Sequence, residues 1–156
     1  MKNLDQSRAR HALKAAEDNV INGKKGGELV KKLPARITNN GLLAALSFSF
    51  EQLNKKSDDR KGPKEEALGH LRLFKVLADH LREQGHLTKP EVARTLERLK
   101  QVKAGTTEEV EAGAGLRVVL EELATMSALR LRLATAEAQA YLGFLRRYAQ
   151  KEADEL

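Results

Sequence analysis

Four histidines are the first candidates for metal binding or for acid and base catalysis, namely His11, His70, His80 and His86. No two of them are four residues apart, the spacing that places two imidazoles on one helix face to hold a metal ion. His80 directly follows Asp79, but neighbouring residues of a helix point in different directions. The histidine spacing therefore predicts no metal site.

Other patterns that support catalysis or cofactor binding do not occur in the sequence. The chain has no cysteine, which excludes disulfides, thiolate metal ligands and cysteine nucleophiles. The segment GKKGG at 23–27 has neither the spacing nor the preceding strand of a phosphate-binding loop. Neighbouring glutamates such as Glu108 and Glu109 are typical of a helix start, where they favour the positive end of the dipole. From the sequence we therefore expect a protein that is not an enzyme and that binds no cofactor.

The charge distribution favours a polyanionic partner. The net charge is +6 and the sequence pI is about 9.6, while aromatic residues make up only 4% of the chain. Residues 1–104 hold 22 basic and 13 acidic side chains, whereas residues 105–156 hold 6 basic and 9 acidic ones. Basic side chains with few aromatic rings suit contact with a nucleic-acid backbone better than stacking on bases.

The composition predicts an all-α protein with one domain spanning residues 1–156. Leu and Ala supply 46 of the 156 residues, while Val, Ile and Thr supply only 17. We expect a compact bundle of about six to seven helices and no sheet. No apolar run approaches the roughly 18 residues that a membrane span needs, so we expect a cytoplasmic protein without membrane contact.

Local signals place the first three helices. Apolar spacing predicts a helix over 3–21, and a second over 28–38 that is kinked or interrupted at Pro34. Gly41 should end it, because glycine tolerates the left-handed conformation of a helix terminus. The third helix is apolar around most of its circumference, which predicts a position at the bundle centre. The polar stretch 54–62 that follows is predicted to be a flexible loop.

Four more helices complete the prediction, over about 63–84, 88–100, 106–124 and from 127 onward. Thr88 and Glu91 have the spacing of a capping box, and Thr106 or Thr107 should cap the sixth helix. The last helix has two apolar sectors. It is therefore either sandwiched in the core or shared between the core and a neighbouring chain.

Three blocks of sequence resemble the small α-helical subunit of the type III-B CRISPR effector, the Cmr ribonucleoprotein complex. The blocks are LDQSRARHALKAA at 4–16, KKLPARITNNGLLAALSF at 31–48 and RLRLATAEAQAYLGFLRRYA at 130–149. The shared features are an Arg-Ala step in the first block, Leu-Pro, Asn-Gly-Leu and Ala-Leu-x-Phe in the second, and a Leu-Arg-Arg-aromatic-Ala ending in the third. The order and position of the blocks are those of the family, whereas residues 54–124 contribute little to the resemblance.

This resemblance implies a non-catalytic structural subunit that acts in antiviral defence. Copies of such a subunit stack as a minor filament beside the backbone subunits, which hold the guide RNA. The implied partners are the other Cmr subunits, further copies of the chain, and the duplex of guide RNA and target RNA. Since the guide reads the sequence of the target, this subunit needs only contacts with the RNA backbone.

The candidate RNA-binding residues are basic side chains of the three matching blocks, which we expect to face phosphates. They are Arg8, Arg10, Lys14, Lys31, Lys32, Arg36, Arg146 and Arg147. Ion pairing or packing of the aliphatic stem is the alternative for Arg8, Arg36 and Arg147. For Arg8, a local pair with Asp5 is the more conservative interpretation.

Two other functions remain open from the sequence. The first is an assembly adaptor that contacts only proteins and uses its basic charge against acidic surfaces. The second is a DNA-binding regulator, because residues 84–99 resemble the first half of a helix-turn-helix. A basic recognition helix over 102–111 would support the regulator, and a loop there would exclude it.

Overall fold

The described part of the chain is helical almost throughout and contains no strand, which confirms the predicted all-α class. The structure is a computed structural model that describes residues 3–17, 24–53 and 65–153. Both the end of the first predicted helix, beyond Glu17, and the predicted loop at 54–62 lie outside these residues. The helices are α1 (Leu4–Glu17), α2 (Lys24–Asn40), α3 (Leu42–Leu53), α4 (Glu65–Glu83), α5 (Pro90–Gln101), α6 (Thr107–Gly113), α7 (Arg117–Thr125) and α8 (Ala128–Ala153).

Glycines end several helices where the sequence placed the boundaries. Gly41 and Gly85 have φ values of +90° and +83°, in the left-handed region that side chains with a Cβ avoid. Thr106 is the N-cap of α6, and its hydroxyl accepts a hydrogen bond from the amide of Glu109, as predicted. A 3₁₀ turn at Ala114–Leu116 divides the predicted sixth helix into α6 and α7.

The predicted interruption at Pro34 is wrong, since α2 runs unbroken from Lys24 to Asn40 with the proline inside it. The Pro34 carbonyl oxygen accepts hydrogen bonds from the Thr38 hydroxyl and from Nε2 of Gln139 in α8. A proline within a helix disturbs the backbone hydrogen bonds around it, and polar side chains can satisfy the backbone groups that remain. The bond from Gln139 joins α2 to α8 at the position of the proline.

The capping box at the start of α5 was also predicted wrongly. The N-cap is Lys89, with Pro90 in the first turn, and no side chain within the helix caps it. Glu122 of α7 instead accepts hydrogen bonds from the amides of Thr88 and Lys89, at 2.8 and 3.0 Å. The carboxylate that holds this helix start is thus more than 30 residues away in sequence.

The core is centred on α4, which contacts α1, α2, α3, α5, α6 and α8. Leu71, Phe74, Leu77 and Leu81 of this helix are fully buried. The prediction had placed α3 at the centre, but α3 exposes one side that includes Phe48. Because α4 has buried residues around most of its circumference, it is the helix on which the bundle is assembled.

Candidate nucleic-acid interface

A cleft between α1, α4 and α5 collects basic side chains from three helices. Its volume is about 480 Å³. We call it the basic cleft and define it by its ionisable side chains, which are Arg10, His11, Lys14, Lys75, Asp79, Glu83 and Lys100. Four lysine and arginine side chains therefore face two carboxylates across one concave surface.

Three of the four cations form no ion pair with a carboxylate in the described part of the chain. Lys100 is the exception, with Nζ 3.7 Å from Oδ1 of Asp79. No described carboxylate lies within 4.0 Å of the charged groups of Arg10, Lys14 and Lys75. Lys75 is half-buried, and this burial lowers the pKa of its ammonium although the charges of Glu109 and Asp79 act in the opposite direction. Cations without acidic partners are available to an anionic ligand.

Two of the predicted phosphate-facing residues, Arg10 and Lys14, line the basic cleft. Both are exposed and lie one helical turn apart on α1. The other two cations of the cleft, Lys75 and Lys100, were not among the residues predicted from the sequence. Both lie outside the matching blocks, and only the packing of α4 and α5 brings them to α1.

Arg8 is engaged in ion pairs and does not line the cleft. Its Nε and Nη2 atoms donate to the carboxylate of Glu137 at 2.7 and 2.8 Å, and Nη1 donates to Asp5 at 2.8 Å. The pair with Asp5 confirms the conservative interpretation of this arginine. The side-chain hydrogen bond with Glu137 is the main cause that raises the pKa of Arg8, and the two acidic partners leave the guanidinium fewer donors for phosphate.

The other predicted residues lie on α2 and α8, away from the lining of the cleft. Lys31 is exposed, and Lys32 has Nζ 3.7 Å from Oε1 of Glu28. The guanidinium of Arg36 lies over the Phe48 ring, 4.2 Å from its centroid. At the far end of α8, Arg146 and Arg147 are exposed. The structure thus brings Arg10 and Lys14 together, whereas these five residues do not join them in the cleft.

One wall of the basic cleft carries a hydrogen-bonded chain that leads into the core. Nε2 of His11 is 2.8 Å from Oδ2 of Asp79, and Nδ1 is 2.6 Å from the Tyr141 hydroxyl. Although burial acts to raise the pKa of Asp79, the hydrogen bond from His11 and the charge of Lys100 hold it below the usual value. The carboxylate therefore accepts from Nε2–H, and Nδ1 accepts from the hydroxyl of Tyr141.

The side chains of this wall do not form a catalytic triad of nucleophile, base and acid. Ser7 also lines the cleft, and a serine beside His and Asp raises the question of a hydrolytic triad. Both imidazole nitrogens of His11 are already engaged, however, by Asp79 and Tyr141. The ring has no nitrogen left that could accept the proton of Ser7.

The basic recognition helix over 102–111 that a DNA-binding regulator would need does not form. Residues 102–106 lie between α5 and α6 outside any helix. The short α6 that follows carries Glu108, Glu109 and Glu111 and no basic residue in its last turn. A loop followed by an acidic helix does not provide a surface for the major groove.

The fold and the cleft together define a small, basic, all-α protein with a surface suited to anions. Residues 4–152 match the model of the family described as CRISPR-associated protein (Cas_Cmr5), and the chain belongs to that family. It is therefore a subunit of the type III-B Cmr complex in CRISPR defence and associates with the other subunits of that complex. A comparison of the sequence with curated proteins found no match. None of the described helices is both long enough and apolar enough to span a membrane.

Proposed function

We propose that the chain is a non-catalytic structural subunit of the Cmr effector complex in the cytoplasm, and that it binds the backbone of target RNA through the basic cleft. Family membership supports the place in the complex. The observation that carries the RNA contact is the convergence of Arg10, Lys14, Lys75 and Lys100 from three helices. Phosphate contacts of this kind give affinity without reading the sequence, which base pairing with the guide supplies.

Stacking of copies along the complex is the second part of the proposal. The outer face of α8 is the apolar sector formed by Leu129, Leu133, Ala136, Ala140 and Phe144. Leu129 and Leu133 are 60% and 53% exposed, whereas the opposite sector is largely buried in the core. An exposed apolar face on a small protein is typical of a protein contact. The same observation favours the alternative of an adaptor that contacts only proteins.

The basic cleft can be tested by filter binding of single-stranded RNA at two salt concentrations. The triple variant R10Q/K14Q/K100Q removes three exposed cations of the cleft. We expect at least a tenfold loss of affinity at low salt and a salt slope that is shallower by about 2, since each single-strand phosphate contact contributes roughly 0.7.

The control variant R94Q/R98Q/R117Q removes the same charge from exposed arginines that do not line the cleft. It should retain most of the affinity and of the salt slope. An equal loss in both triple variants would show that only net charge matters and that the cleft is no binding site. Wild-type protein that binds no RNA at low salt would favour the adaptor function.

A further inference from the structure

One wall of the basic cleft holds three potential metal ligands at close range. Nε2 of His11 lies 2.8 Å from Oδ2 of Asp79 and 3.8 Å from Oε2 of Glu83. The three ligand atoms all lie within 4.8 Å of one another. Asp79 and Glu83 are one turn apart on α4, while His11 comes from α1. The histidine spacing predicted no metal site because it could reveal only pairs of histidines within one helix.

The spacing suits a small transition-metal ion. Bonds of about 2.0 to 2.2 Å at tetrahedral angles place two ligand atoms of a zinc site roughly 3.4 Å apart. The observed separations of 2.8 and 3.8 Å lie on either side of this value. The Glu83 side chain is 61% exposed, so it can move to shorten its 3.8 Å distance from Nε2 of His11.

Neighbouring groups hold two of the ligands in orientation. The Tyr141 hydroxyl contacts Nδ1 of His11 and directs Nε2 toward the carboxylates. Tyr141 is fully buried, and its ring stacks on His80 with centroids 4.0 Å apart. Lys100 faces Oδ1 of Asp79, which leaves Oδ2 on the side of His11. Outer partners of this kind orient the ligands of protein metal sites.

We propose that His11, Asp79 and Glu83 bind a divalent transition-metal ion such as Zn²⁺, with the remaining position open to water or another ligand. One imidazole and two carboxylates suit such an ion better than Ca²⁺ or Mg²⁺, which prefer oxygen ligands alone. When Nε2 binds the metal, the ring proton lies on Nδ1 and is donated to the Tyr141 oxygen. The basic side chains of the cleft repel a divalent cation and so reduce its affinity, and the two carboxylates offset part of that repulsion.

The proposal is tested with Zn²⁺ alone, without RNA, so that its failure is distinct from failure of the proposed function. Tag-free protein competes with a chromophoric chelator for the ion. We expect one Zn²⁺ per chain, and at least a tenfold weaker affinity in both H11Q and E83Q. Co²⁺ bound at the same site should show the visible absorption of a low-symmetry complex, and this absorption should be lost in E83Q.

Two variants serve as matched controls. H86Q removes another partly exposed histidine, and E97Q removes an exposed carboxylate outside the cleft. Both should bind Zn²⁺ as the wild type does. The E83Q variant alters an exposed side chain, so it remains informative even where H11Q does not fold. Wild-type protein that takes up no Zn²⁺, or E83Q that binds it as tightly as the wild type, would overturn the proposal.

Discussion

At the residue scale, buried charge in this protein is paired across long distances in sequence. Glu137 of α8 is only 5% exposed, yet it accepts two hydrogen bonds from Arg8 and a third from Nε2 of His80 at 2.9 Å. Burial lowers the pKa of His80, which keeps the ring neutral with its proton on the nitrogen that faces Glu137. A carboxylate with three donors is held in one geometry and fixes α1 against α8.

This arrangement predicts a specific loss of stability at low pH. Burial alone would raise the pKa of Glu137, but the hydrogen bonds from Arg8 and His80 hold it below the usual value. The unfolded chain then binds the proton more readily than the folded one. The stabilisation by Glu137 is therefore complete above the unfolded pKa of about 4.3 and is lost as pH falls through the folded pKa.

Denaturant unfolding of wild type and E137Q over a range of pH measures this contribution. At pH 7 we expect E137Q to be less stable by about 2 to 3 kcal/mol, which is somewhat less than for a fully buried pair because Arg8 retains Asp5. The difference between the two proteins should shrink as the pH falls below about 4. The exposed E97Q variant should follow the wild type. A difference that stays constant with pH would contradict the assignment.

At the element scale, the start of α5 depends on a carboxylate from α7. Glu122 is 3% exposed, and its two oxygens accept the amide hydrogens of Thr88 and Lys89. The E122Q variant keeps one acceptor oxygen but leaves one of these amides without an acceptor. We expect a loss of about 2 kcal/mol in the free energy of unfolding, the usual range for a hydrogen bond to a charged group.

The neighbouring E121Q variant is the matched control. Glu121 is exposed and forms only an i, i+4 pair with Arg117 at 3.2 Å. Its substitution should change stability by less than about 0.5 kcal/mol. Thermal or denaturant unfolding of both variants measures the contrast. Equal stability of E122Q and E121Q would show that Glu122 does not hold the helix start.

The elements also show which features a sequence can predict. Helix ends at Gly41 and Gly85 depend on one residue and its own backbone, so local reasoning found them. The start of α5 depends on Glu122, and the Pro34 carbonyl of α2 accepts from Gln139, both of which are distant in sequence. No local pattern could reveal these contacts.

The same limit applies to the candidate site. Arg10 and Lys14 were predicted because they lie in a block that resembles the family. Lys75 and Lys100 belong to the cleft only because α4 and α5 pack beside α1. The contact of His11 with Asp79 links residues separated by 68 positions, so it was not foreseen.

At the scale of the whole molecule, the exposed apolar face of α8 is separate from the basic cleft. Arg8 with Glu137 and His11 with Tyr141 show that α1 and α8 run parallel with an offset of 129 to 130 residues. On α1, Leu4 is likewise 44% exposed. Neither Leu4 nor the exposed leucines of α8 line the basic cleft.

The variant L129E/L133E tests whether this face contacts protein. Because both leucines are exposed, we expect its stability to change by less than about 1 kcal/mol. Its recovery with copies of the chain or other subunits of a reconstituted Cmr complex should fall at least tenfold. The variant Q101E/A104E adds the same charge at exposed positions elsewhere and should assemble normally. Normal assembly of L129E/L133E would exclude the face as a contact surface.

The pairing of α1 with α8 also constrains the order of events during synthesis. Arg8 and Glu137 are 129 residues apart, so α1 leaves the ribosome long before its partner exists. At about 5 to 20 residues per second the delay is on the order of 10 s, far longer than a helix needs to form. Until then the apolar side of α1 has no α8 to cover it. Completion of the native bundle must therefore wait for the last helix, and a nascent chain stalled before α8 would expose α1 to chaperones and proteases.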